Sequence, residues 1–199
     1  MEREPPDTFP HGSTAQILLF LVLITFIFRS SDYITIFLGS QSTIFHLNPY
    51  NVGDDTACGG SGSDYLLGDE NNDLLDGCEG NDTIWGGKDN DTIFGGAGDD
   101  FLSGDLGDDF LIGGSGNDRF LLWADSGMDI IRDFEPGKDA IALTRGLTSS
   151  QLSITQANSD TLIRLTATGQ ILATINNVSV TQIELTDLNP PTFLNRSFL

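Results

Sequence analysis

Aspartate recurs at every ninth residue across the middle of this chain: Asp55, Asp64, Asp73, Asp82, Asp91, Asp100, Asp109 and Asp118. Carboxylates repeated at such a spacing suit a hard cation with oxygen ligands. Ca²⁺ in particular takes carboxylate and carbonyl oxygens. From Tyr50 the units read YNVGDDTAC, GGSGSDYLL, GDENNDLLD, GCEGNDTIW, GGKDNDTIF, GGAGDDFLS, GDLGDDFLI and GGSGNDRFL. Place six is Asp in all eight units, place one is Gly in seven, and place four is Gly in six. Place eight is always apolar: Ala57, Leu66, Leu75, Ile84, Ile93, Leu102, Leu111 and Phe120. Self-similarity at a fixed period marks a repeat architecture.

Charge narrows the partners. The 199 residues hold 29 acidic and 9 basic side chains, a formal net charge of −20. A nucleic acid needs Lys and Arg against its phosphates, so it is excluded as a partner. Anionic membrane surfaces are disfavoured for the same reason. Metal ions and basic surfaces remain. The 72 residues from Tyr50 to Leu121 contain 17 of the 23 glycines and 17 of the 29 acids, opposed only by Lys88 and Arg119. Charge of one sign is thus concentrated where the period lies.

The elements that would position these acids are a six-residue turn and a three-residue strand per unit. Glycine at places one, two and four supplies positive φ or close backbone approach. The substitutions at place four, Asn71 and Asp89, are side chains that tolerate the left-handed region. Alternation in the strand sends place eight inward and places seven and nine outward. Two units make one coil of a flattened, all-β solenoid, with coils about 4.8 Å apart. Carboxylates of units i and i+2 then stand above one another and repel unless a cation lies between them. The pairs are Asp55/Asp73, Asp64/Asp82, Asp73/Asp91, Asp82/Asp100, Asp91/Asp109 and Asp100/Asp118, giving room for up to about six Ca²⁺ ions.

These residues resemble the RTX, or haemolysin-type, calcium-binding nonapeptide G-G-x-G-x-D-x-U-x. GGSGSDYLL, GGAGDDFLS and GGSGNDRFL match it at every place, while GDLGDDFLI and GCEGNDTIW miss only the second. The resemblance implies a right-handed parallel β-roll. Its Ca²⁺ ions would be held by the place-six carboxylates and by backbone carbonyls at place two (Gly60, Asp69, Cys78, Gly87, Gly96, Asp105, Gly114) and place four (Gly62, Asn71, Gly80, Asp89, Gly98, Gly107, Gly116). It also implies a bacterial, secreted protein, extracellular or at the cell surface, that uses type I secretion machinery. An acidic linker of similar composition would not keep place eight apolar eight times running. Without Ca²⁺ the segment is glycine-rich and self-repelling; with it, binding free energy becomes folding free energy.

The chain divides into residues 1–49, the repeats at 50–121, a β-rich cap at 122–188 and a tail at 189–199. The cap reads as short antiparallel strands: Met128–Phe134, Ala140–Leu143, Leu152–Gln156, Thr161–Thr166, Ile171–Ile175 and Ile183–Leu185, with a turn at Glu135–Lys138. The run DIIRDFEPGKDAIAL resembles the segment that usually follows RTX repeats and closes the roll's open end. Asp129, Asp133 and Asp139 are weighed as a last Ca²⁺ site and read instead as solvated. Ile17–Phe28 is an apolar run too short to span a bilayer as a helix. It reads either as a signal or membrane anchor or as part of a strand pair with Tyr33–Phe37 and Thr43–Leu47. Cys58 and Cys78 are read as free thiols, because Cys78 falls two residues past the point above Cys58. Trp85, Phe94, Phe101, Phe110 and Ile112 occupy outward places.

No H-E-x-x-H, G-x-S-x-G or P-loop occurs in the sequence, and His11 and His46 lie in unremarkable contexts. The expectation is a non-enzymatic, secreted Ca²⁺-binding module. The alternative is the C-terminal fragment of a secreted RTX hydrolase or toxin without its catalytic domain.

Overall fold

A computed structural model describes residues 53–188 together with two short strands, Thr35–Phe37 and Ile44–His46. It is all-β. Among the described residues the only helical turns are 3₁₀ turns at Ser149–Gln151 and Val180–Gln182, and no helix is long and apolar enough to cross a membrane.

The period of nine builds two parallel sheets. β1 (Thr35–Phe37), β3 (Thr56–Cys58), β5 (Leu74–Asp76), β7 (Thr92–Ala97) and β9 (Phe110–Ser115) stack on one side. β2 (Ile44–His46), β4 (Tyr65–Asp69), β6 (Thr83–Lys88), β8 (Phe101–Leu106) and β10 (Arg119–Leu122) stack on the other. The pairings confirm the two-unit coil, since Leu75 faces Ile93 and Leu66 faces Ile84, each 18 residues on. Place eight forms the core. Leu66, Leu75, Ile84, Ile93, Leu102, Leu111 and Phe120 are all wholly buried, and full burial of one such side chain is worth about 1.5–3 kcal/mol. The outward aromatics are only partly covered. Tyr65 and Trp85 lie with ring centroids 5.7 Å apart, and Arg119 sits 5.1 Å above Phe101.

The parallel roll does not stop at Leu121. β11 (Asp129–Ile131) pairs in parallel with β9, and β12 (Ala140–Leu143) with β10. β15 (Ile171–Ile175) and β16 (Leu185–Asp187) then stack in parallel on β11 and β12. The expected antiparallel character holds for β13 (Leu152–Ala157), β14 (Asp160–Leu165) and β15. The remaining cap strands extend the solenoid, because Ile131, Ile141 and Ile175 carry the apolar place-eight column onward. β1 and β2 do not pair with each other. They begin different sheets, against β3 and β4. The Ile17–Phe28 run and the 189–199 tail lie outside the described residues.

Cys58 and Cys78 form a disulfide, against the sequence expectation of free thiols. In register, Cys58 does face Asp76 rather than Cys78. The two residues that follow do not continue the strand, however. Cys78 takes φ 74°, and its N–H donates to Asp76 Oδ1 at 3.0 Å. This turn brings its Cα within 6.4 Å of Cys58, inside the range a disulfide spans. The bond ties neighbouring coils 20 residues apart. Replacing both cysteines by serine should therefore cost roughly 3 kcal/mol of stability, read as a lower urea midpoint. Cys58→Ser with Cys78→Gly should recover about 1 kcal/mol of that, since glycine accepts this φ without a Cβ penalty.

Candidate metal centre

All six aspartate pairs expected from the period are neighbours, but the contact between them runs from carboxylate to backbone. The Asp55 N–H donates to Asp73 Oδ1 at 2.9 Å, Asp64 to Asp82 at 2.8 Å, and Asp73 to Asp91 at 2.7 Å. Asp82 donates to Asp100 at 2.7 Å, Asp91 to Asp109 at 2.8 Å, and Asp100 to Asp118 at 3.0 Å. Each carboxylate thus spends one oxygen on the coil before it. The second oxygen, Oδ2, is buried without a hydrogen-bond partner in Asp73, Asp82, Asp91, Asp100, Asp109 and Asp118. A buried carboxylate oxygen left unpaired is costly, and a run of them fits the chemistry of a hard cation.

The glycines make room for this oxygen. A Cβ at place one would lie 2.5 Å from Asp100 Oδ2 and 2.5 Å from the Gly113 carbonyl at Gly95; at Gly86 it would meet Asp91 Oδ2 at 2.1 Å. Place one is therefore a close-approach glycine. Places two and four are the left-handed ones: Asp69, Cys78 and Asp105 have φ of 79°, 74° and 72°, and Asn71 and Asp89 have 81° and 72°. Their carbonyls stack along the roll. Cys78 O lies 2.2 Å from the position of a Cβ on Gly96, and Gly80 O lies 1.8 Å from one on Gly98. Some of these carbonyls also accept ladder bonds, as Gly60 O does from Glu79 and Cys78 O from Ala97, which leaves each a second lone pair. Among the described residues no three His, Cys, Asp or Glu side chains gather at one point. A cation here would be shared by stacked turns, through place-six carboxylates and the place-two and place-four carbonyls.

A second column escaped the sequence reading. Place five, Asp or Asn in seven of eight units, forms an external ladder of opposite sense. Asn72, Asn90 and Asp108 donate their N–H to Asp54, Asn72 and Asn90 respectively, at 3.2, 2.9 and 2.8 Å. On the other edge Asp99 donates to Asn81, and Asn117 to Asp99. Its signal was the composition of place five itself, which the place-six Asp beside it obscured.

The acids beyond the repeats are not solvated as expected. Asp129 and Asp139 are buried. Asp133, part-buried, accepts the Gly113 and Gly114 N–H groups at 2.9 and 2.8 Å. Burial has turned them into continuations of the roll, because β11 and β12 are stacked on it.

Burial, reinforced by neighbouring carboxylates, raises six of the place-six acids. Asp91 is pushed up to about 9, Asp73 and Asp100 to about 7, and Asp82, Asp109 and Asp118 to about 6. On the outer ladder, hydrogen bonds from Asn117 hold Asp99 below the usual carboxylate range. Raised folded-state values mean that the fold binds protons more tightly than the unfolded chain. With Ca²⁺ chelated, stability is therefore greatest below pH 4 and falls as pH rises through 6–9. The β signal of chelated protein should grow from pH 9 to pH 5, and Ca²⁺ added near pH 6.5 should release protons into a lightly buffered solution. Gly95→Ala should weaken Ca²⁺ binding in a calorimetric titration, since its Cβ competes for the space of Asp100 Oδ2.

A family model described as the RTX calcium-binding nonapeptide repeat matches in four copies, over residues 51–84, 67–102, 85–120 and 94–131. A search of curated proteins found no match. Among solved structures, the AlgE6R3 subunit of the Azotobacter vinelandii mannuronan C5-epimerase is 18 % identical, with 77 % of this chain and 82 % of that one covered and a TM-score of 0.33. The extracellular lipase LipA from Serratia marcescens is 18 % identical, with 73 % of this chain and 40 % of that one covered and a TM-score of 0.31. The AlgE6R2 subunit of the same epimerase is 21 % identical, with 67 % and 94 % covered and a TM-score of 0.26. The repeat match rests on the same glycines and aspartates that shape the turns, and over residues 51–131 this chain is similar to the RTX calcium-binding nonapeptide repeat.

Proposed function

We propose that this chain is a non-catalytic, secreted Ca²⁺-binding module whose roll folds when it meets Ca²⁺ outside the cell. The observation that carries this reading is the set of buried, unpartnered Oδ2 atoms on Asp73, Asp82, Asp91, Asp100, Asp109 and Asp118. Six stacked pairs offer up to about six ions, and each ion would offset two of the negative charges that otherwise hold the coils apart. At the Kd on the order of 10⁻⁴–10⁻³ M typical of extracellular modules, the roll would stay unfolded in a calcium-poor cytosol. It would fold after export, for which the RTX repeats suggest type I secretion from a bacterial cell. The Cys58–Cys78 disulfide suits the same oxidising exterior.

The deciding measurement is far-UV circular dichroism of the full chain during Ca²⁺ titration, with Mg²⁺ as control. A cooperative gain of β signal at sub-millimolar to millimolar Ca²⁺, reversed by chelator and absent with Mg²⁺, is expected. A spectrum that ignores Ca²⁺ would sink the reading.

A further inference from the structure

We propose that the Cys58–Cys78 pair is a thiol–disulfide switch that sets the Ca²⁺ affinity of the two turns it spans. Tight binding there would then require an oxidising medium as well as calcium. This rests on the calcium reading of the repeats and adds a control that the nonapeptide pattern does not contain. The bond joins two turns on one edge of the roll. Cys58 ends β3 and leads into the turn from Gly59 to Asp64, while Cys78 is the second residue of the turn from Gly77 to Asp82. Backbone bonds stack one turn on the other. The Gly59 N–H donates to Asp76 O at 2.8 Å, Glu79 to Gly60 O at 2.9 Å, and Gly62 to Glu79 O at 2.9 Å. The Asp64 N–H donates to Asp82 Oδ1 at 2.8 Å, and Asp82 Oδ2 is buried with no hydrogen-bond partner. The disulfide therefore clamps the two turns that would share a cation at Asp82.

Cys78 is also the exception at its place. On this edge the residues in line with it are Gly60, Gly96 and Gly114, with φ of 99°, 105° and 94°, whereas Cys78 holds 74°. A side chain makes that region costly, and aspartate tolerates it better than cysteine does. Asp69 and Asp105 fill the same place on the opposite edge. Cys78 lacks their tolerance, but its bond to Cys58 ties the turn down. That turn delivers the Cys78 carbonyl, which accepts the Ala97 N–H at 2.8 Å and lies 2.2 Å from the position of a Cβ on Gly96. Reduction removes the tether and leaves the conformational cost, so the carbonyl and Asp82 are held less firmly for an ion.

Both cysteines are half-buried, within reach of a small thiol. Oxidation needs an acceptor of two electrons, and glutathione disulfide is one. The two cysteine thiols and one glutathione disulfide give the Cys58–Cys78 bond and two glutathione thiols, which carry away both protons. Coupling between two binding equilibria is reciprocal. An oxidised pair that raises Ca²⁺ affinity about tenfold is itself made tenfold harder to reduce by Ca²⁺. For a two-electron couple that factor is about 30 mV.

Equilibration of the full chain in glutathione redox buffers, with chelator or with saturating Ca²⁺, tests this directly. The potential of the pair is expected to be about 30 mV more negative with Ca²⁺, a tenfold change in the equilibrium constant. Asp82→Asn should abolish that shift, while Asp109→Asn, on the opposite edge, should keep it. Ca²⁺ heats that are the same in oxidised and reduced protein, with a potential that Ca²⁺ does not move, would overturn the inference and leave the calcium reading standing. So would an equal loss of the shift in both variants, because the bond would then act on the fold as a whole. If Asp82→Asn does not fold, the amide NMR signals of Asp64 and Asp82 through a Ca²⁺ titration decide. They should saturate at about tenfold lower Ca²⁺ in the oxidised parent than in the reduced one, and equal midpoints would overturn the switch. No Ca²⁺ heat in either redox state would overturn the calcium reading, and this switch with it.

Discussion

A column of carboxylates buried at a spacing of one coil is the constraint on which the rest of this roll depends. Hydrophobic burial at place eight is favourable but slim, because one side chain per nine residues fills a narrow interior. The glycine-rich turns contribute no apolar core of their own, and they carry high conformational entropy in the unfolded chain. Each turn also draws a negative charge out of water. One carboxylate oxygen is offset by a backbone N–H from the preceding coil, and the other is left for a cation. Cohesion of the coils is thereby tied to the ionic conditions around them.

The other features of the turn serve that arrangement. Place one lacks a side chain because the carboxylate and a carbonyl of the next coil occupy its space. Places two and four sit in the left-handed region, so that the turn can curl round the buried oxygen. Place five, one residue from the buried Asp, points outward and bonds in the reverse direction along the stack. Neighbours at places five and six therefore play opposite parts: the place-six Asp is buried, while the place-five residue is exposed. Asp99 and Asp100 show both behaviours side by side.

The flanks adapt the ends of the stack. Strands β11, β12, β15 and β16 keep the parallel order going past the repeats, and the β13–β14 hairpin continues one sheet in antiparallel fashion. At the other end the Cys58–Cys78 bond ties two early coils together. It lies among units one to four, where the pattern is weakest: the first unit is degenerate, and Asp69, Asn71 and Cys78 replace glycine at left-handed places.

The repeat, its two-unit coil, the inward place eight and the six aspartate pairs were legible in the sequence, because a fixed period converts local pattern directly into stacking register. Asn71 and Asp89 were legible as left-handed residues for the same local reason. Tertiary structure alone decided what depends on how the chain departs from that period. Cys78 reaches Cys58 because a positive φ turns the chain back within two residues, which a strand-based count cannot foresee. Asp129 and Asp139 are buried because insertions before them are absorbed in turns, restoring the stack where the sequence pattern had lapsed. Which oxygen of each carboxylate is spent, and which is left, follows from a backbone N–H on another coil. The spacing of 18 residues names the two partners, but not which of their atoms meet.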